Sequence, residues 1–320
     1  MLGRIDTPQQ FIIMPSIRTI IALPVILLLV CCGTSTQEHN KRYQKEKAEN
    51  ARQDSLAFKV AVLPTLDCLP IFVAVESGIY SSMGVDIRLK EKTAQMDCDE
   101  AFVQGEVECM CSDLMRTERL RHKGIGIDYI TSTNAYWQLL GNSKGRIQEI
   151  KHLGDKMVGM SRYSGTDYFS TLAIDSVKIS LPVFRVQVND VTVRMMMLLN
   201  NEIDAAVLTE PQATAARMQK HTVLADTRHK DIQLGVIAAR NRLAGDPYRE
   251  KQMDAFVKGY DMACDSINEK GIAYYSAVIK KYYDIAPSVM ESLPHLNYHH
   301  AIPPRQKDID RTRNVKWRTF

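Results

Sequence analysis

From Phe58 onward the chain keeps one rhythm, a short run rich in β-branched residues followed by a helical segment, and that rhythm decides its fold class. "FKVAVLP" ends in proline and reads as a buried strand. "TLDCLPIFVAVESGIY" follows as a helix, with Asp67 as its cap, Pro70 in the first turn and Gly78 at the stop. "VDIRLKEK" alternates as a strand, "DCDEAFVQGE" is a helix closed by Gly105, and "VECMCSD" is again a strand. "LMRTERLRHKG" is helical and "IDYITSTNAYWQLLGN" extended. Strands and helices alternating at this spacing imply βαβ units on a mostly parallel sheet flanked by helices, an α/β chain.

The rhythm then restarts. "HLGDKMVGM" is a strand approach, and "SRYSGTDYFSTLAIDSV" turns into a helix. "FRVQVND", "IDAAVLTEP" and "HTVLADT" are strands, separated by the apolar helix "VTVRMMMLLNN" and by "QATAARMQK". The three methionines Met195–Met197 read as core filler, and Phe169 as a core residue of its helix. "IQLGVIAARNRL" resumes extended structure before two long helical stretches. Two lobes follow, with the chain crossing near Leu140–Lys144 and near Asp231–Gly235. Residues 58–140 with 235–320 make lobe one, and 141–234 make lobe two.

Ahead of this body, Thr19–Cys32 is an apolar run too short for the ~18–20 residues of a spanning helix. With Arg18 before it, the run suits a secretory signal. Its end, Leu29-Val30-Cys31-Cys32-Gly33, resembles a bacterial lipobox, so residues 1–32 read as a signal peptide with lipidation at Cys32 rather than Cys31. That predicts an exported lipoprotein, held to the membrane by its lipid and facing the periplasm or the outer cell surface. Residues 33–57 carry many charges and almost no large apolar side chain, the composition of a disordered tether.

The formal charge of +4 gathers outside the body, at Arg42, Lys45 and Lys47 and again from Arg305 to Arg318. No basic stripe interleaved with aromatics suggests nucleic acid. Beyond the anchor, Cys68, Cys98, Cys109, Cys111 and Cys264 read as buried thiols or as thiols with one disulfide. Their spacing does not supply a zinc site, and the "HLNYHH" run reads as solvated surface. No cofactor motif, nucleophile elbow, Walker loop or HExxH is present.

In open parallel sheets ligands bind beyond the carboxyl ends of strands, against helix starts. Those places are Thr65 to Cys68, Ser112-Asp113, Tyr163-Ser164-Gly165-Thr166, Asn189-Asp190 and Thr209-Glu210. Ser164, Gly165 and Thr166 would offer hydroxyls and free backbone N–H groups to an anion. Asp67, Asp113 and Glu210 would face an ammonium or other N–H donor, and Tyr163 would cover a ring. The predicted ligand contacts are therefore Thr65, Asp67, Ser112, Asp113, Tyr163, Ser164, Gly165, Thr166, Asn189 and Glu210.

Three segments carry a resemblance. "LPIFVAVESGIYSSMGVDIRL", "VGMSRYSGTDYFSTLAI" and "NNEIDAAVLTEPQATAA" resemble, in order and spacing, segments of solute-binding proteins in the nitrate/sulfonate/taurine and thiamine-pyrimidine group. The resemblance runs from about Phe58 to Trp317 and implies a two-lobed type II periplasmic-binding-protein fold. It further implies a monomeric, non-enzymatic receptor of an ABC importer, with permease and ATPase partners and one small polar ligand between the lobes. An aminosulfonate or an aminopyrimidine would suit the expected contacts. The alternative is an enzyme on the same fold, acting on a thiamine-pyrimidine or menaquinone precursor. Three departures stand out: Asn201-Glu202 where the group has glycine, Cys68 in the first binding loop, and a last helix that looks shortened.

Overall fold

The computed structural model describes residues 38–313 and 315. The segment expected to be a signal peptide with a lipobox, Cys32 included, lies outside the described residues. The chain divides into two compact units, Met1–Leu56 and Ala57–Phe320. The described part of the first is a single helix, α1, over residues 38–56, exposed almost throughout. This corrects the tether expected there. A segment too polar to build a core is still rich in Glu, Lys, Gln, Arg and Ala, which are strong helix formers. No described helix is long and apolar enough to cross a membrane.

The second unit holds two five-stranded sheets. Sheet one begins with β1 (Phe58–Val62), a 3-10 turn, and helices α2 (Leu69–Glu76) and α3 (Ile79–Ser82). It continues through β2 (Ile87–Glu91), α4 (Gln95–Gln104), β3 (Cys109–Asp113), α5 (Leu114–His122) and β4 (Ile127–Ser132). Sheet two takes β5 (Gln138–Gly141), β6 (Met157–Met160), α6 (Gly165–Asp175), β7 (Phe184–Gln187), α7 (Val191–Leu199), β8 (Ala205–Leu208), α8 (Gln212–Met218) and β9 (Thr222–Asp226). The chain then returns to sheet one as β10 (Gly235–Arg240) and finishes with α9 (Pro247–Lys270), α10 (Ser276–Tyr283), α11 (Pro287–Glu291) and α12 (Gln306–Arg313).

The two strand orders, β2-β1-β3-β10-β4 and β7-β6-β8-β5-β9, are the same order twice. In each sheet four strands are parallel and one is antiparallel: β10 against β3 and β4, β5 against β8 and β9. Each antiparallel strand is the first one laid down after a crossing. The crossings lie at residues 133–137 and 227–234. The first comes earlier than the expected Leu140–Lys144, which places β5 in lobe two. They run side by side, with the Thr133 amide donating to the Gly235 carbonyl at 2.9 Å and the Thr227 amide to the Trp137 carbonyl at 3.0 Å. Gly235 is needed there, because a Cβ would lie 2.3 Å from Thr133 Oγ1 and 2.5 Å from the Ala135 Cβ.

Lobe one packs α2, α9 and α10 on one face of its sheet through Phe58, Phe72, Phe256 and Tyr260. The Phe72 ring stacks on Tyr282 at 4.0 Å. Each such side chain contributes ~1.5–3 kcal/mol on burial. Phe169, Val158 and Val207 lie in the core beneath sheet two, where Met195 and Met197 join a smaller cluster. The five cysteines of the described residues are all buried free thiols.

Candidate functional site

The strand ends of the two sheets face each other across a cavity of about 40 Å³. On that measure one water needs roughly 10–15 Å³, so the space holds a few waters. Lobe one supplies Leu63, Thr65 and Asp67 after β1, Thr93 and Gln95 after β2, and Cys111 and Ser112 at the end of β3. Lobe two supplies Ser161 and Thr166 around β6, Asn189, Val191 and Arg194 around β7, and Thr209 after β8. Ala135 and Trp137 come from the first crossing. Asp67 and Arg194 are the two charged side chains of this lining.

Asp67 was expected as a helix cap, yet α2 is entered through Cys68 with no side-chain cap bond. Its carboxylate is thereby left for the cavity wall, where Thr133 Oγ1 donates to Oδ2 at 3.2 Å. Burial raises its pKa above the usual carboxylate value, against the hydroxyls of Thr65 and Thr133. Beside it, the Cys68 thiol and burial push the Cys111 thiol well up, so this cavity wall is a neutral, protonated thiol.

On the facing wall Arg194 is 4% exposed. Its Nε donates to the Val207 carbonyl at 2.8 Å. Its Nη1 donates to the Val188 carbonyl at 2.6 Å and to Ser161 Oγ at 3.2 Å. Burial lowers its pKa to about 10, which leaves it charged at neutral pH. Asp190, whose charge acts on it, caps α7 through the amides of Thr192 and Val193 at 2.8 and 3.0 Å.

Of the ten predicted contacts, Thr65, Asp67, Ser112, Thr166 and Asn189 line the cavity. The structure does not bring the other five there. Ser164 is buried as the α6 cap, its Oγ accepting from the Thr166 amide at 3.1 Å and donating to the Ser161 carbonyl at 2.7 Å. Thr166 Oγ1 accepts from the Ser161 amide at 2.9 Å. The helix start expected to be open to an anion thus satisfies much of itself. Gly165 faces Asp113 of the other lobe: a Cβ on it would lie 3.4 Å from the Asp113 carboxyl carbon. Asp113 is fully buried, caps α5 through the Arg116 amide at 3.0 Å, and is pushed up by burial against the pull of Arg116 and of the Gly165 N–H. Tyr163 lies under Arg119 in a separate groove, with the guanidinium 4.0 Å from its ring centre.

Glu210 is 1% exposed and enclosed by donors. Oε1 accepts from Tyr136 Oη at 2.6 Å and Arg217 Nη2 at 2.7 Å. Oε2 accepts from the amide and hydroxyl of Thr214 at 3.0 and 2.6 Å. Arg228, on the second crossing, stacks over Tyr136 at 3.8 Å. Glu210 therefore ties α8 to both crossings and has no capacity left for a ligand.

Among the cavity residues that the sequence reading missed, Arg194 matters most. It was absorbed into an apolar helix, although a lone arginine inside "VTVRMMMLL", four residues after a strand-end Asp190, was a visible signal. Three further inter-lobe bonds close the cleft. Ala94 and Asp190 form an isolated antiparallel bridge. The Leu66 amide donates to the Glu210 carbonyl at 2.9 Å, and Gln212 Nε2 to the Pro64 carbonyl at 2.9 Å. Among the described residues no group of three or more His, Cys, Asp or Glu side chains could hold a metal ion.

A family model described as NMT1/THI5 like matches residues 65–279, more than half of the chain. No curated protein matches the sequence significantly. Among solved structures, the chain is similar to the alkanesulfonate-binding protein of Xanthomonas axonopodis pv. citri bound to MOPS. That match has 13% identity and a TM-score of 0.66 over 80% of this chain and 89% of the other. The ligand-binding component of an ABC-type import system from Staphylococcus aureus, with zinc bound, gives 14%, 0.65, 80% and 89%. The periplasmic nitrate-binding protein of Synechocystis PCC 6803 gives 12%, 0.63, 74% and 68%. At such identities the likeness establishes the fold, which is that of the type II periplasmic-binding proteins.

Proposed function

The chain belongs to the NMT1/THI5-like family, and from that premise we propose that it is the extracytoplasmic receptor of an ABC importer, held to the membrane by a lipid on Cys32. It captures one small polar organic molecule, aminosulfonate-like or aminopyrimidine-like, between its lobes and delivers it to a permease and ATPase. The observation that carries this reading is the polar cavity at the facing strand ends, with a carboxylate on one wall and a guanidinium on the other. Three of the similar structures are named as binding components for solutes, which agrees with it.

A few waters' worth of space is too small for a ligand with a carbon skeleton. Loading therefore requires the lobes to part, and ligand contacts on both walls favour reclosure. The test is a thermal-shift screen of small polar metabolites on the full chain, followed by small-angle scattering with each compound that binds. The expected result is a fall in the radius of gyration at saturation. A saturating ligand that leaves the scattering profile unchanged counts against a closing receptor. Anchoring is tested separately by labelled palmitate: Cys32→Ala should lose the label, and full labelling of that variant would exclude Cys32.

A further inference from the structure

Arg194 is a buried cation, 4% exposed, whose three hydrogen bonds all go to uncharged acceptors, with the Asp190 charge acting on it but not bonded to it. Its Nη2 has no acceptor among the described residues, and the side chain lines the cavity. Burying an ion in this way costs several kcal/mol unless a counter-charge arrives. Sheet two is nevertheless shaped around it. Gly159, in the middle of β6, has the Arg194 stem across it, and a Cβ there would lie 3.2 Å from Arg194 Cγ and 2.8 Å from Ile203 Cδ1. Its counterpart in lobe one is Ala61: Ala61 pairs with Met110 as Gly159 pairs with Ala206. Only the lobe carrying the buried arginine omits the methyl group.

We infer that Arg194 is the specificity residue of the cleft, and that the ligand presents to it a singly charged oxyanion at one end and an N–H donor to Asp67 at the other. This rests on the receptor reading and narrows it, deciding against a neutral aminopyrimidine. The planar guanidinium suits a sulfonate or carboxylate through paired oxygens. The hydroxyls of Ser161 and Thr166 flank it, and Trp137, Leu63 and Val191 supply apolar surface for a short spacer. One guanidinium opposite one carboxylate balances a zwitterion. A dianion would leave an uncompensated negative charge in the closed cleft.

The experiment uses four probes with one two-carbon skeleton: taurine, β-alanine, phosphoethanolamine and ethanolamine. Calorimetry on the full chain near neutral pH should find taurine and β-alanine, the two probes with a singly charged anionic end, bound at least roughly tenfold more tightly than ethanolamine, which carries the ammonium but no anion, the scale of one charge-assisted bond. Phosphoethanolamine, whose phosphate takes its second negative charge near pH ~6, should weaken as pH rises through that ionisation. Arg194→Lys keeps the charge but loses the fork and should bind the better monoanion roughly ten- to hundredfold more weakly. Ethanolamine bound as tightly as taurine and β-alanine overturns the inference, as does failure of both monoanions to bind. Undiminished affinity in folded Arg194→Lys does so too, and the wild-type comparison stands if that variant does not fold. A neutral compound that binds and compacts the lobes overturns this inference and leaves the receptor reading standing. A wide screen in which nothing binds overturns both.

Discussion

In lobe one the chain leaves β3 through Asp113 into α5, and in lobe two it leaves β8 through Glu210 and Pro211 into α8. The strands occupy equivalent places in their sheets, and both corners bury a carboxylate. Glu210 receives four hydrogen bonds. Asp113 accepts one well-formed bond, from the Arg116 amide at Oδ1, and Oδ2 completes none among the described residues, although the Gly165 N–H is near enough to pull on the carboxyl. The difference shows that a strand-end carboxylate can be a fully satisfied fastener at one corner and an under-satisfied group at the other, with the cavity wall a few residues away from both.

The largest expected effect comes from breaking the better-made corner. Glu210→Ala strands the Arg217 and Tyr136 groups and should cost ~3–5 kcal/mol in urea denaturation. Asp113→Ala removes one helix cap but also an under-satisfied charge, and should cost about 1 kcal/mol. Equal losses would erase the distinction between the corners.

Second in size is the pH response, which should have opposite sign in the two lobes. In lobe one, burial raises Asp99 to about 6, with Asp113 adding to it and Arg116 and Ser112 opposing. The folded state then holds the proton more tightly than the unfolded state, so this carboxyl's contribution to stability declines as pH rises from about 4 to 6. At roughly 1.4 kcal/mol per unit the decline approaches 3 kcal/mol. In lobe two, burial pushes Asp226 up, but bonds from Arg228 and Gln138 outweigh it and hold it below the usual range. Its contribution is complete above the unfolded-state pKa and fades as pH falls through the lower folded value. Denaturation of Asp99→Asn and Asp226→Asn between about pH 3 and 7, a window that brackets the ordinary carboxylate ionisation, should show difference slopes of opposite sign. Slopes of the same sign would refute the contrast.

Third, Gly159→Ala forces Ile203 and the Arg194 stem aside and should cost ~1–3 kcal/mol, whereas Ala61→Gly should cost about 1 kcal/mol. The smallest effect belongs to Lys307, half-exposed and paired with Asp231 on the second crossing. Lys307→Ala should change the melting temperature little, being worth under ~0.5 kcal/mol, and less at high salt.

Much of the architecture was legible because the strands are short apolar or alternating runs, several of them ended by Gly, Pro or Asp. The first crossing was not. "TSTNAYWQLLGN" has no break until Gly141, so nothing in its pattern marks where β4 ends and β5 begins. Half of the expected contacts reach the cavity because strand-end position is readable from sequence. Which way a corner side chain turns depends on partners far along the chain. Glu210 answers to Tyr136 and Arg217, and Gly165 meets Asp113, pairings that no local pattern announces. Arg194 was hidden by its apolar neighbours, and α1 by weighing hydrophobicity over helix propensity.

The place of β10 also governs how the molecule can assemble. All five strands of sheet two come from one uninterrupted stretch, Gln138 to Asp226, and those two residues are direct partners across β5 and β9. Sheet one must wait for β10, synthesised after the whole of lobe two. If lobe two folds first, its ends already sit together. The loop that lobe one must close then shrinks from about 100 residues to about a dozen, lowering the closure cost by roughly 2 kcal/mol. Pulsed hydrogen exchange during refolding should therefore protect β5 and β9 before β10. The long-range insertion that gives the sheet its antiparallel strand becomes a nearly local event, and β10, the last strand synthesised, is then the last to dock.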